Sequence, residues 1–237
     1  MTKFFGHRGY SGKYPENTML SFQKAIECGV AGIELDVQFS RDGQLVIIHD
    51  ETLDRTTTGK GYVRDHTLDE LKALDASFKF AGQYGINPIP TLDEYLAYVK
   101  DLDIVTNIEL KTGIYEYPGI EEAVLKCIRK YDVSEKIIIS SFNHYSVMRM
   151  KDLSPDLKSG FLFDCWVIDP GKYVSSHGIA CYHPEFHNLT PEIVQNAKSY
   201  GLEINTWTVN TLEDFKYLES QDVDVAIGNF PELILGK

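Results

Sequence analysis

Eight short apolar runs separated by helix-patterned segments constrain this chain more than any other feature. The runs fall at 3–6, 33–37, 104–110, 136–141, 160–163, 179–182, 203–209 and 223–227. Each is short and lies between helical patterns, which predicts strands. Between them lie helix starts of recognisable chemistry. Thr190-Pro191-Glu192 supplies an N-cap, a proline at the first helical position and an early acid, and Ile193, Val194, Ala197 and Tyr200 then form one apolar stripe that Gly201 ends. Thr91 with Glu94 and Thr67 with Glu70 have the capping-box spacing. The helix expected after the fifth strand, near 172–176, is weakly encoded. Eight strand–helix alternations predict an α/β fold, a TIM (β/α)8 barrel, with an open doubly wound sheet as the alternative. The 237 residues, 43% of them hydrophobic, suffice for one such domain over 1–237. Residues 51–90 do not fit the repeat. A Thr/Gly-rich link, Thr56 to Gly61, and one amphipathic helix near 68–74 read as a small insertion after the second strand, over the barrel mouth.

The stretch from Gly32 to Asp50 departs from a plain core strand. Alternation puts Ile33, Leu35 and Val37 on one face and Glu34 and Asp36 on the other. Asp42-Gly43 signals a two-residue hairpin turn, which would extend the second strand through 45–48 and set His49 directly opposite Asp36. Carboxylates and an imidazole on one small volume suit a hard divalent cation held by oxygen, with the imidazole free for proton transfer. The same alternation also fits an edge hairpin whose acids face solvent.

In a parallel barrel, chemistry sits at the carboxyl ends of the strands. His7-Arg8 follows the first strand, Glu34 and Asp36 close the second, and Glu109-Leu110-Lys111 closes the third. Each has an ordinary explanation alone: a loop pair, a surface ion pair worth less than about 1 kcal/mol, or, for His49-Asp50, a capped turn. Delivered together to one rim, they predict a site.

A net charge of −12 and a pI near 5.0 argue against nucleic acid or an anionic membrane as partner. An acidic protein acting on phosphate needs a local cationic pocket. The opening residues lack the apolar stretch of a signal peptide, and no run approaches a membrane span. Cys28, Cys127, Cys165 and Cys181 show no paired spacing, so a reduced, cytoplasmic protein is expected.

The ordered series His7-Arg8-Gly9, Pro15-Glu16-Asn17-Thr18, Gly32 to Val37, Asp42-Gly43, His49-Asp50, Leu53-Asp54-Arg55-Thr56-Thr57, Glu109-Leu110-Lys111 and Thr206 to Asn210 closely resembles the glycerophosphodiester phosphodiesterase family over nearly the whole chain. The resemblance implies a barrel, an insertion after the second strand, and metal-dependent hydrolysis of small glycerophosphodiesters to sn-glycerol 3-phosphate and an alcohol. It implies that Glu34, Asp36 and Glu109 hold the divalent cation, that His7 and His49 are the acid/base pair, and that Arg8 and Lys111 hold phosphate oxygens. It also suggests that the glycerol 2-hydroxyl attacks first, giving a cyclic phosphate that water opens. The residues do not say which histidine is the base. Mg²⁺ and Ca²⁺ both accept such ligands, and zinc is disfavoured because it would claim the histidines. The segment from Cys165 to Gly178 matches no family pattern.

Several residues carry two readings. Trp207 is a candidate wall for the substrate's glycerol carbons, or a core tryptophan. Phe142 and Phe186 are rim candidates by position, with core packing the plainer account. His183 and His187 invite a metal reading, but Pro184 between them favours ordinary loop histidines. Thr58-Gly59-Lys60-Gly61 lacks the flanking residues of a phosphate loop. Phe78, Phe80 and Tyr84 are candidates for lining an apolar channel, which a lysophospholipid substrate would require, or for packing on the barrel. Two rival functions stand beside hydrolysis: a Schiff-base aldolase using Lys111, and a non-catalytic binding barrel. Headgroup and oligomeric state are not legible in the sequence.

Overall fold

The computed structural model describes residues 1–80 and 82–236 and has nine strands and nine α-helices among them, alternating along the chain except that the third strand follows the second directly and the third helix follows the second. They are β1 (Lys3–His7), α1 (Met19–Glu27), β2 (Gly32–Phe39), β3 (Leu45–Ile47), α2 (Leu68–Lys72), α3 (Leu92–Val99), β4 (Val105–Leu110), α4 (Ile120–Tyr131), β5 (Ile137–Ser141), α5 (His144–Leu153), β6 (Ser159–Phe163), α6 (Pro170–Ser176), β7 (Cys181–Pro184), α7 (Pro191–Ser199), β8 (Glu203–Trp207), α8 (Leu212–Ser220), β9 (Val225–Gly228) and α9 (Pro231–Leu235). Every strand but β3 is parallel to its neighbours, in the order β1-β9-β8-β7-β6-β5-β4-β2, and β1 pairs again with β2. That closure makes a (β/α)8 barrel and excludes the open sheet.

Two apolar layers follow from strand alternation. Ile33, Leu35 and Val37 of β2 are fully buried in the layer between barrel and helices, with Phe22, Leu96, Ile108, Val124 and Ile139. Phe5, Ile138, Cys181, Val225 and Ile227 form a separate cluster inside the barrel. The intervening phase of β2 carries Glu34, Asp36 and Gln38, all buried. The acidic face is therefore neither an edge nor solvated; it points into the barrel.

Local chemistry sets the helix starts. Thr67 and Thr91 form complete capping boxes with Glu70 and Glu94, and Thr190 accepts from the Ile193 amide with Pro191 at the first turn. The weakly encoded helix after the fifth parallel strand is α6, which Pro170 starts earlier than expected.

The hairpin register differs from the expected one. Val37 pairs with Ile47, Gln38 with Val46 and Phe39 with Leu45. The loop has three residues, Arg41-Asp42-Gly43: the Gly43 amide donates to the Ser40 carbonyl at 3.0 Å, and Gly43 closes the loop in the left-handed region at φ +73°. Ile48, not His49, therefore meets Asp36, its amide donating to the Asp36 carbonyl at 3.0 Å.

Between β3 and α3 the chain builds a small apolar cluster of its own from Val46, Ile48, Leu53, Val63, Leu71, Ala76 and Ile89. Among the described residues no helix is long and apolar enough to cross a membrane.

Candidate active site

Strand register brings the acids together. His7 on β1 lies beside Glu34 on β2, which lies beside Asn107 on β4; one layer higher, Asp36 lies beside Glu109. Ligand oxygens of Glu34, Asp36 and Glu109 all fall within 4.8 Å of one another, and all three residues are buried. Burial and the neighbouring Asp36 and Glu109 push the Glu34 carboxyl well above the usual range. Glu109 is raised by burial as well, against the pull of Lys111. Burial would raise Asp36 too, but His49, Arg8, Lys111 and Asn17 outweigh it and hold it below its ordinary value. Three carboxylates in one small volume cannot all ionise comfortably unless a cation joins them. Asp36 Oδ1 is buried and finds no hydrogen-bond partner among the described residues, which is what a ligand oxygen facing a cation position requires. The acidic trio fits a hard divalent ion.

Two cations of the protein flank the trio. Lys111 Nζ is 2.8 Å from Glu109 and 3.9 Å from Asp36. Arg8 adopts a left-handed turn at φ 54°, its amide donating to Glu34 Oε2 at 3.0 Å and its Nε lying 3.4 Å from Asp36. Asn17 donates to Asp36 Oδ2 at 2.8 Å.

The two histidines are held differently. His7 Nδ1 is 2.7 Å from Asn229 Oδ1, which also accepts from Ser11 Oγ at 2.9 Å. An amide oxygen can only accept, so Nδ1 of His7 carries the hydrogen and Nε2, 3.8 Å from Glu34, keeps its lone pair. Burial, with Arg8 alongside, lowers His7 to about 3. His49 Nδ1 is 2.6 Å from Asp50 Oδ1. His49 reaches the rim without being a ladder partner of Asp36. The Gln38 side-chain amide donates to the carbonyls of Ile48, His49 and Asp50 at 2.9, 3.1 and 2.8 Å, and this fixes the turn that presents the imidazole.

A cavity of about 170 Å³ opens here. His7, Arg8, Glu34, His49 and Glu109 form one side, and Asn107, Phe142, Leu162, Trp207, Thr208 and Ile227 the other. A wider groove of about 600 Å³ shares His49, Glu109, Phe142 and Leu162 with it and adds Lys111, Ile114 and Phe163. Trp207 lines the cavity while its Nε1 donates to the His183 carbonyl at 3.2 Å. Phe142 is not a core residue: it is half exposed, lines both spaces and meets the Trp207 ring edge-on at 5.6 Å.

The remaining candidates lie elsewhere. Phe186 packs on the His187 ring at 3.8 Å and lines neither space. His187 is exposed and pairs with Glu185, whereas His183 is fully buried on β7 against Asn205, so it is a barrel-interior residue and not a loop histidine. Phe80 and Tyr84 pack on each other at 5.6 Å, and Tyr84 packs on Tyr14. They are not part of the groove.

Asn229 and Gln38 carry much of this geometry and are not candidates from the sequence, and Asn17 enters there only within the Pro15-Glu16-Asn17-Thr18 motif, with no role attached. Gln38 alone had a local signal, since it continues the inward phase of Glu34 and Asp36.

Comparison with known proteins agrees with this geometry. Residues 7–233 match the model of the glycerophosphoryl diester phosphodiesterase family. A glycerophosphodiester phosphodiesterase of Caldanaerobacter subterraneus is 44% identical, the alignment covering 99% of this chain and 96% of the relative. One from Bacillus altitudinis is 40% identical over 98% of this chain and 96% of the relative. Among solved structures, a phosphodiesterase from Oleispira antarctica in complex with the product sn-glycerol-3-phosphate superposes with a TM-score of 0.92 at 29% identity, covering 100% of this chain and 96% of that one. The chain is thus an enzyme of the glycerophosphoryl diester phosphodiesterase family.

Proposed function

We propose that this enzyme hydrolyses glycerophosphodiesters to sn-glycerol 3-phosphate and an alcohol. The observation that carries the reading is the meeting, on one cavity, of two differently held imidazoles, the Arg8 guanidinium and the Glu34 and Glu109 carboxylates, which are clustered with the fully buried Asp36 and its unpartnered oxygen. Family membership supports the reaction, as does the product held by the Oleispira neighbour.

A phosphodiester is anionic and repels nucleophiles, so its oxygens must be neutralised before attack. Arg8 offers a planar fork of donors and Lys111 a point charge for that purpose. Glu34, Asp36 and Glu109 would hold a divalent cation, Mg²⁺ or Ca²⁺. Such an ion, when bound, supplies Lewis-acid neutralisation of phosphate oxygen. His7, neutral and with Nε2 as acceptor, takes the proton of the attacking hydroxyl, whether that of water or the glycerol 2-hydroxyl. His49, its Nδ1 tied to Asp50, gives a proton to the oxygen of the departing alcohol. Trp207 and Phe142 form an apolar wall suited to glycerol carbons.

Residues 51–90 are read as an insertion at the mouth of one catalytic domain, on the ground that Arg55 from this segment bonds residues of the rim. A cytoplasmic setting is proposed from the sequence positions of the four cysteines, which lie far apart and form no CxxC pattern. Lys111 favours hydrolysis over a Schiff-base aldolase: although burial disfavours its charge, Glu109 and Asp36 raise it, whereas an amine nucleophile must lose its proton.

The wider groove, with Ile114, Phe142, Leu162 and Phe163, favours a second reading in which the glycerol carries an acyl chain, so that a lysophospholipid is cleaved to lysophosphatidic acid and its headgroup alcohol. One assay tests both. Release of sn-glycerol 3-phosphate is measured from glycerophosphocholine and glycerophosphoethanolamine, and of choline or lysophosphatidic acid from lysophosphatidylcholine, with Mg²⁺ and Ca²⁺ compared. Turnover of the first two is expected, and absence of turnover of all three with either ion would overturn the proposal.

A further inference from the structure

The described site leaves one guanidinium without a role. Arg55 stands in the segment after β3, and its side chain grips two carboxylates at once. Nε donates to Asp50 Oδ2 at 2.6 Å and Nη2 to Asp50 Oδ1 at 2.9 Å. Nη1 donates to Glu16 Oε2 at 2.7 Å and Nη2 to Glu16 Oε1 at 2.8 Å. Each carboxylate then passes the contact inward: Asp50 Oδ1 to His49 Nδ1 at 2.6 Å, and Glu16 Oε1 to Arg8 Nη1 at 2.8 Å. The loop after β1 and the turn after β3 are thereby joined by one planar group, with a histidine at one end and a phosphate-binding arginine at the other.

We infer that Arg55 is a positioning residue for the reaction, fixing His49 through Asp50 and Arg8 through Glu16, so that leaving-group protonation and phosphate binding depend on a residue that touches neither. This rests on the hydrolytic function proposed above. Only a guanidinium offers two parallel forks in one plane; a lysine ammonium at the same place is a single point and cannot hold both carboxylates in register. Without the second fork, Asp50 is free to rotate and His49 loses its orientation.

The step affected is the departure of the alcohol. The attacking hydroxyl oxygen forms a bond to phosphorus and gives its proton to His7, the P–O bond to the alcohol breaks with its electron pair staying on the alcohol oxygen, and that oxygen takes the proton from His49. An alkyl alcohol needs this proton to leave, whereas 4-nitrophenolate does not.

The test compares Arg55→Lys with the parent enzyme on glycerophosphocholine and on the 4-nitrophenyl diester of glycerol phosphate. For the variant, kcat on glycerophosphocholine falls about 10- to 100-fold, while kcat on the nitrophenyl ester falls less than about threefold. KM rises on both, since Arg8 has lost its brace. The ratio of the two kcat values is independent of how much of the sample is folded. Asp50→Asn shifts the ratio the same way, and the double variant adds little further. Equal losses on both substrates, parent-like kinetics, or multiplicative effects in the double variant overturn the inference. Failure of the parent enzyme on both substrates instead overturns the hydrolytic reading itself.

Discussion

His7 Nδ1 lies 2.7 Å from Asn229 Oδ1, so the imidazole at the end of the first strand is oriented by the residue that follows the last one. Asn229 is itself held: its amide donates to Asn210 Oδ1 at 2.9 Å, and Ser11 Oγ donates to its side-chain oxygen. Replacement by leucine removes the acceptor and lets the ring exchange its two tautomers. Steady-state kinetics of Asn229→Leu are expected to show kcat reduced by about tenfold or more with KM little changed. A variant with parental kcat would remove tautomer control from the account.

The acidic trio leads to a prediction about ions. Glu34, Asp36 and Glu109 repel one another, and a divalent cation that joins them binds only the folded chain, so it must stabilise the fold. Exhaustive chelation is expected to abolish turnover and lower Tm, and added Mg²⁺ or Ca²⁺ to restore both. In Asp36→Asn the Tm response to cation should be much smaller. Undiminished activity after chelation would take the ion out of the mechanism.

What was legible in the sequence follows from how locally it is encoded. Capping boxes at Thr67 and Thr91 and the strand phase of Glu34 and Asp36 depend on neighbours three or four residues away at most, and barrel topology then carries three strand ends to one rim. The hairpin register failed because a glycine in a tight turn serves two loop lengths. Ser40 decides between them, its Oγ bonding Asp42 and the Gln44 amide. His183 was misread for a similar reason. Its burial depends on Gly160 of the adjacent strand, where a Cβ would stand 2.4 Å from the His183 ring nitrogen. Arg55 gave no local sign of its task, since Glu16 is 39 residues away.

Lys111 offers a test of the charge balance. Its ammonium lies 2.8 Å from Glu109 and 3.9 Å from Asp36, nearly shielded from water. Lys111→Met leaves Glu109 without its nearest cation and Asp36 without one of the two that flank it, which in the absence of a divalent ion should cost about 3–5 kcal/mol of stability. Added Mg²⁺ should recover part of the loss, so the variant gains more from the ion than the parent does. Urea unfolding with and without Mg²⁺ measures both numbers. An equal gain in the two proteins would mean that the lysine and the ion do not share the same carboxylates.

Acid sensitivity should trace in part to His183. Its ring is fully buried beside Asn205, and burial lowers it from 6.5 to about 4, only partly opposed by Glu203. Above pH 6.5 neither the folded nor the unfolded chain protonates this residue, and its contribution is constant. As the pH falls from 6.5 towards 4, the unfolded chain takes up a proton that the folded chain refuses, so stability drops; below about 4 both bind it and the loss levels off. The full loss is about 3 kcal/mol. In His183→Gln the amide cannot titrate in this range, so its curve of unfolding free energy against pH should be flatter than the parent's by about that amount between those limits, whatever the substitution costs at neutral pH. Comparing slopes and not absolute stabilities separates proton linkage from lost packing, and parallel curves for the two proteins would show that other groups carry the acid transition.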